Sequence, residues 1–551
     1  MNKNIGQKIV LEMLKGYGEK FSIQFPTLEN LFAVQPTPEE VTALEMPIPG
    51  LGRYRKNTAF LKNVTSAKAT GLARFHIIKE YLFAFSKLMA KYSGPHRKMI
   101  PGLSDEDIEF IRNNIGVTVQ EVHLVDVMEI FSEHDTAAAG DLMMLEIASL
   151  KKHLASYIGA VCFATTSEDI MGNAFGLTAN ELVFHHFIPK ILDFCDFLID
   201  DFVKVHSPQD KILLIPEFTH EQTAEWTTPN QKITVRLNAI LDLMADMQYA
   251  HVPDGSFHPF AGKFGGPIGD LKCHKAAYPD IDWKKFAREF VEGLGLHYHA
   301  FTDQCVPYTT EAQHFRTIIN ILTQIIKLAD DFVKMVRCPA QIFVKVKGEG
   351  HKGSSIMPNK SNLWQIEGAI AMLMETCAML NFLAETLQKY PDAGNMMRSY
   401  LFRNIGAYFM PSFIALGRIK REMSQCRPNP VKIQAFFEEY PGMFGSLIQV
   451  VLKRGGIAGD AYRLVQKIAF NADSTYANAE QFKTGLEQVM KELRLAEPLC
   501  DELRAFFSPS NSRLIELIGD GQDTSLASMS ARIQLFRQKA QQIKGLPKFA
   551  A

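Results

Sequence analysis

The segment Gly348-Glu-Gly-His-Lys-Gly-Ser-Ser-Ile-Met-Pro-Asn-Lys-Ser-Asn362 lies between an apolar extended run, Gln341 to Val346, and a long helical pattern. Glycine, serine, lysine and asparagine crowd into these positions, which suits a mobile lid whose backbone N–H groups close on an anion. The bland alternative is a flexible connection. The spacing Gly348-x-Gly350-x-x-Gly353 also matches the dinucleotide-binding fingerprint, but that fingerprint needs its helix to open at the glycines. Here Pro358 intervenes and the helical pattern starts only at Asn362, whose side chain, with Gln365, is expected to form a cap. A Rossmann site is therefore set aside.

Working outward, helical periodicity dominates from about Thr70, in windows such as Ala67 to Tyr92, Asp141 to Ala155, Glu181 to Val205, Lys232 to Tyr249 and His314 to Val336. Alternating strand patterns are scarce, with Lys211 to Ile215 and Gln341 to Val346 as the main candidates. The expected class is all-α. Breaks at Glu45–Gly52, Asp254–Gly269, Gly348–Pro358 and Arg427–Pro430 suggest three regions. These are a mostly helical N-terminal domain with an extension (1–160), a central helical bundle carrying the 348–362 loop (161–410) and a C-terminal helical domain (411–551).

At 551 residues, 47% of them hydrophobic, the chain is long and apolar enough to bury a large core. Lys plus Arg (59) nearly cancels Asp plus Glu (60), which argues against nucleic-acid wrapping and membrane-surface adhesion. The most apolar window, Gly368 to Leu387, is interrupted by Glu375, Asn381 and Glu385 and reads as a buried helix, not a membrane span. Met1 to Leu14 lacks the features of a secretory signal. Eight scattered cysteines without a CxxC pair indicate neither a disulfide framework nor a zinc module, and point to a reducing, cytoplasmic setting. His297 and His299 form an H-x-H without a well-spaced third ligand and are expected in a solvated loop; no metal is assigned.

The order Gly353-Ser354-Ser355-Ile356-Met357-Pro358-Asn359-Lys360-Ser361-Asn362 resembles the GSSxMPxKxN signature of the fumarase/aspartase superfamily. Further stretches resemble the adenylosuccinate lyase branch, especially its bacterial long-chain type. They are Gly52-Arg53-Tyr54, His134-Asp135, Thr166-Ser167-Glu168-Asp169-Ile170, Thr219-His220-Glu221-Gln222 with Glu where the family has Gly, Gly262-Lys263 through Gly269, Ala277-Tyr278-Pro279-Asp280-Ile281-Asp282-Trp283, Gln304, and Ser399 with Arg403-Asn404-Ile405-Gly406. The resemblance spans roughly residues 50–490. It implies a three-domain fumarase/aspartase-like fold with a long central bundle, and β-elimination that releases fumarate with no metal or organic cofactor. It also implies a homotetramer whose sites are shared between subunits, acting on a small nucleotide in purine biosynthesis.

Elimination from a succinyl group requires removing a weakly acidic C–H proton, stabilising the carbanionic intermediate and protonating the departing nitrogen. The resemblance places the base on Ser354 and the acid on His220, with His134 orienting groups near the reacting part. A serine hydroxyl becomes a competent base only where donors and cations favour its alkoxide, and Lys360 is a natural contributor. Arg53, Tyr54, Arg403 and Ser399 are phosphate-side candidates, since bidentate phosphate recognition favours arginine. Thr166, Ser167, Ser355, Lys360 and Asn362 are expected to grip the succinyl carboxylates; Gln304 reads a polar edge, and Asp135 completes the substrate set. Thr166 and Ser167 also read as a plain helix cap.

Some positions depart from the pattern. Pro391-Asp392-Ala393-Gly394-Asn395-Met396-Met397-Arg398 lacks the family's substrate-binding arginine unless Arg398 substitutes, and Cys305-Val306-Pro307-Tyr308 replaces the usual run after the glutamine. These changes keep two alternatives open: the same chemistry on another succinyl substrate, and a catalytically silent binding or assembly paralogue.

Overall fold

A computed structural model describes residues 50–96, 102–208, 211–249, 255–346, 353–389, 394, 397–457, 459–507, 512–519 and 522–548. The N-terminal extension and the 347–352 half of the glycine-rich loop lie outside the described residues, as does most of the 391–396 stretch.

Helix α1 (Ala67–Lys91) starts where the Ser66 hydroxyl accepts the Ala69 N–H at 3.1 Å. Helix α2 (Val119–Ser132) opens on a capping box between Thr118 and Glu121. Helix α3 (Asp135–Leu150) is capped by His134, whose Nδ1 accepts the Ala137 N–H at 3.3 Å. These helices pack with the 264–296 segment around one aromatic-rich core that includes Phe75, Tyr81, Phe85, Phe264 and Trp283. Helix α4 (Ser167–Asn180) continues without a break to His206 through two π-helical stretches, Glu181–Phe187 and Phe197–Val203.

The expected strand at 211–215 is displaced: Ile215 opens β1 (Ile215–Thr219), which forms a hairpin with β2 (Gln222–Thr227). The polar Gln222-Thr-Ala-Glu stretch hid the second strand. Helix α5 (Pro229–Ala245) follows behind a Thr228 cap. Short strands β3 (Ala261–Gly262) and β4 (His297–Tyr298) pair in parallel. His297 and His299 are therefore not in a solvated loop. Both are half-buried, and the His297 ring lies 4.6 Å from that of His258, with its Nδ1 3.1 Å from the Tyr249 hydroxyl.

Helix α6 (Thr309–Val336), β5 (Phe343–Lys345), helix α7 (Trp364–Leu387), helix α8 (Met397–Arg403), helix α9 (Ile405–Met423) and β6 (Cys426–Pro428) complete the centre. Cys377 of α7 contacts Ile319 of α6, and Gly368 contacts Arg418 of α9, so α7 runs antiparallel to both neighbours. Ile366, Ala369, Leu373, Leu380, Leu383 and Leu387 form its buried stripe, each leucine stabilising the bundle by roughly 1.5–3 kcal/mol. The opposite face leaves Trp364, Met374, Met379 and Phe382 exposed, so α7 is not fully buried in a single chain as its sequence suggested. By length and composition it is also the one helix among the described residues apolar enough to cross a membrane, although its packing against α6 and α9 is that of a bundle helix.

The C-terminal helix α10 (Gln522–Gln542) lies along the bundle. Arg532 pairs with Asp242 of α5 at 2.6 Å, and Arg537 with Asp193 and Asp196 at 2.9 and 2.7 Å.

Candidate active site

The motif residues gather at two separate ends of the bundle. Helix α6 has 28 residues, so the ends are about 42 Å apart at 1.5 Å per residue.

At the amino end of α6, the starts of α3 and α4, the loop before α6 and helix α8 converge. Asp135, the first residue of α3, takes Arg74 at 2.5 Å and Arg403 at 2.6 Å. Burial pushes its carboxyl up, but the two guanidinium groups outweigh that and hold it below the ordinary carboxylate range. Arg403, a phosphate-side candidate, is thus already committed to a carboxylate. His134 is half exposed, and its Nδ1 serves as helix cap. Thr166 caps α4, and its hydroxyl accepts the Gln304 amide at 3.1 Å. Gly394 lies close against Gln304: a Cβ there would fall 1.8 Å from Gln304 Oε1, so a larger residue would have to displace that amide. Ser399 is buried on α8. Arg398, the candidate substitute for the absent arginine, is also buried, paired with Glu168 and set over the Phe175 ring at 5.3 Å. Burial raises the Glu168 carboxyl above its usual range despite Arg398 and Lys263 nearby.

At the carboxyl end of α6 lie the hairpin and the signature loop. His220 and Glu221 are the two residues between the paired Thr219 and Gln222, with φ of 53° and 61°. Positive φ at both positions is type I′ geometry, the turn whose twist suits a two-residue hairpin. Glu221 pairs with Arg337 and, at 3.7 Å, with Lys334, both at the end of α6; the hydrogen bond and charge of Arg337 lower its carboxyl pKa. His220 stands exposed at the tip. In the loop, Ser354 Oγ accepts the Met357 N–H at 3.1 Å, and Ser355 and Lys360 are exposed. Asn362 does not cap α7: its amide donates to the Gly353 carbonyl at 3.2 Å, and the helix begins two residues later. The cap comes from afar, where Glu422 of α9 accepts the Gln365 N–H at 3.0 Å while paired with buried Lys345 of β5. No local sequence pattern announces a partner 57 residues away.

Arg53 and Tyr54 lie nearer this second end. Tyr54 accepts from Arg418 at 2.7 Å and stacks beneath it. Arg403 and Arg418 are 15 residues apart, which corresponds to roughly 22 Å if α8 and α9 run on in line. The phosphate-side candidates are thus split within one chain. Among the described residues, no three His, Cys, Asp or Glu side chains converge to hold a metal.

Residues 104–376 match a family model described as a lyase. An adenylosuccinate lyase of Legionella pneumophila (strain Corby) is 24% identical over 416 residues, 75% of this chain and 86% of that protein. An adenylosuccinate lyase of Vibrio cholerae is 26% identical over 421 residues, 76% of this chain and 87% of that protein. The crystal structure of a fumarate lyase from Mesorhizobium sp. BNC1 superposes with a TM-score of 0.55 at 12% identity, covering 87% of this chain and 97% of that one. Residues 104–376 thus carry similarity to a lyase family, and the all-α fold is of the fumarase/aspartase kind. Over most of its length the chain is similar, at 24–26% identity, to adenylosuccinate lyases.

Proposed function

We propose that the chain cleaves adenylosuccinate to AMP and fumarate, and the succinylated aminoimidazole-carboxamide ribonucleotide to its free amide and fumarate, by Ser/His β-elimination in the cytoplasm. The observation that carries this reading is the division of the motifs between two ends of one antiparallel bundle whose outer face is apolar. Copies packed antiparallel through α7 bring the Ser354 loop of one against the Thr166 and Gln304 end of another. The working unit is then a homotetramer with shared sites, in which Trp364, Met374, Met379 and Phe382 become core.

In this reading Ser354 takes the proton from the succinyl carbon, aided by Lys360 and the loop amides. His220 delivers a proton to the departing nitrogen, and its place at a hairpin tip lets the imidazole project from the bundle. Thr166, Ser167, Ser355 and Asn362 hold carboxylates, while His134 orients the reacting part. Arg53, Tyr54, Ser399 and Arg403 meet the phosphate, with Arg403 exchanging Asp135 for it.

A spectrophotometric assay of adenylosuccinate turnover, with Ser354→Ala and His220→Ala as controls, tests the proposal. Wild-type turnover lost in both variants supports it. The burial of Arg398 against Glu168 favours a second reading, the same elimination on a different succinyl substrate. Turnover of another succinyl compound but not adenylosuccinate selects that one, and no turnover of any leaves a silent paralogue.

A further inference from the structure

Two acidic residues follow Thr166 and Ser167 on the first turn of α4, and each is clamped by a buried cation from a distant segment. Glu168 meets Arg398, and Asp169 meets Lys263 at 3.0 Å, with the Asp169 and Lys263 side chains 0% and 1% exposed. The Asp169 carboxylate also accepts the N–H groups of Thr166 at 2.9 Å, Gly265 at 2.9 Å and Gly266 at 3.1 Å. The Lys263 ammonium donates onward to the carbonyl oxygens of Gln304 at 2.8 Å and Gly266 at 3.2 Å. One turn along α4, the Asn173 side chain donates to the Lys263 carbonyl at 2.8 Å and accepts its N–H at 3.0 Å. The glycine loop folds back tightly enough that a Cβ at Gly269 would fall 1.8 Å from the Thr302 carbonyl oxygen, and its φ of +80° favours glycine.

A buried ion pair is poor value as a source of stability, because well-packed apolar residues of similar volume often serve as well or better. What this pair supplies is registration. Its bonds end on the backbone of Thr166, of the glycine loop and of Gln304, and the Gln304–Thr166 side-chain bond closes the circuit.

We propose that Asp169 and Lys263 are positioning residues of the succinyl-binding half-site: without touching substrate, they lock Thr166, Ser167 and Gln304 into one register. This rests on the succinyl-lyase reading above. The test uses the full-length protein as Lys263→Met, Lys263→Arg, Asp169→Asn and the double variant Asp169→Asn/Lys263→Met, which leaves no unpaired buried charge if the single variants fail to fold. Each is assayed for kcat and KM with adenylosuccinate, for fumarate affinity by calorimetry, and for hydrogen exchange at the Thr166, Gly265 and Gly266 amides.

Lys263→Met and the double variant raise KM and weaken fumarate binding by roughly tenfold or more. In both, kcat falls by less and the three amides lose protection, while Lys263→Arg recovers most of the loss. Folded variants with wild-type KM and fumarate affinity, changed only in melting temperature, overturn the proposal. Should the wild type turn over no succinyl compound and bind no fumarate, the lyase reading fails on its own. The exchange data then decide the positioning role, and unchanged protection in the variants refutes it.

Discussion

The Lys345–Glu422 pair offers a sharp energetic test, because both side chains are almost wholly buried, at 2% and 0% exposed. Glu422 has two duties. One oxygen meets Lys345 and the other accepts the Gln365 amide at the start of α7, so one carboxylate ties β5, α7 and α9 together just behind the Ser354 loop. Glu422→Met leaves the Lys345 ammonium buried without its carboxylate and removes the helix cap. Stranding one partner of a buried pair costs about 3–5 kcal/mol, and losing a cap about 1 kcal/mol more. Replacing both residues, as Lys345→Met/Glu422→Met, removes the stranded charge, and only the cap penalty of about 1 kcal/mol should remain. Urea unfolding followed by circular dichroism reads the three free energies. Glu422→Met is expected well below wild type and the double variant close to it. A double variant as unstable as Glu422→Met refutes the reasoning, because the loss would then not come from an unpaired charge.

Ser354→Ala and His220→Ala each lower kcat by roughly 10²–10⁴ with unchanged helicity, as loss of a general acid or base does. Mixing the two inactive proteins after subunit exchange restores part of the activity, whereas no recovery argues against shared sites. Phe382→Glu, on the exposed face of α7, dissociates the oligomer and abolishes turnover, which light scattering at matched concentrations checks. Burial pushes the His314 ring down to about 4. Because the unfolded value is near 6.5, the unfolded chain binds a proton that the folded one refuses, so stability falls as pH drops from about 6.5 to 4, by about 3 kcal/mol in all. Melting curves across that range should show a shallower acid slope for His314→Phe than for wild type.

The long helices were legible in the sequence from their extended apolar-rich windows. The expected 67–92 window is helix 67–91, and the expected 314–336 window ends where α6 does. What escaped were contacts made across the chain. Arg74, 61 residues from Asp135, sits in an uninterrupted helix with nothing local to mark it as an ion-pair partner. Glu422 displaced the cap assigned to Asn362 for the same reason. Asp169 and Lys263 were visible inside recognised stretches, but a motif gives residue order and not which side chains meet. The apolar window at 368–387 read as buried because hydropathy reports a preference for leaving water without saying what supplies the cover.

The turn at His220 and Glu221 carries a price of its own. Non-glycine residues resist the left-handed region, and a glycine at 221 would enter it freely. This chain instead places there a carboxylate that reaches the basic end of α6 through Arg337 and Lys334. The imidazole tip is thereby moored by solvent-facing charges, and such moorings weaken as dissolved ions screen them. Added salt should slacken the tip while the bundle beneath it stays rigid, giving this molecule a sensitivity to ionic strength that a glycine-bearing turn would lack.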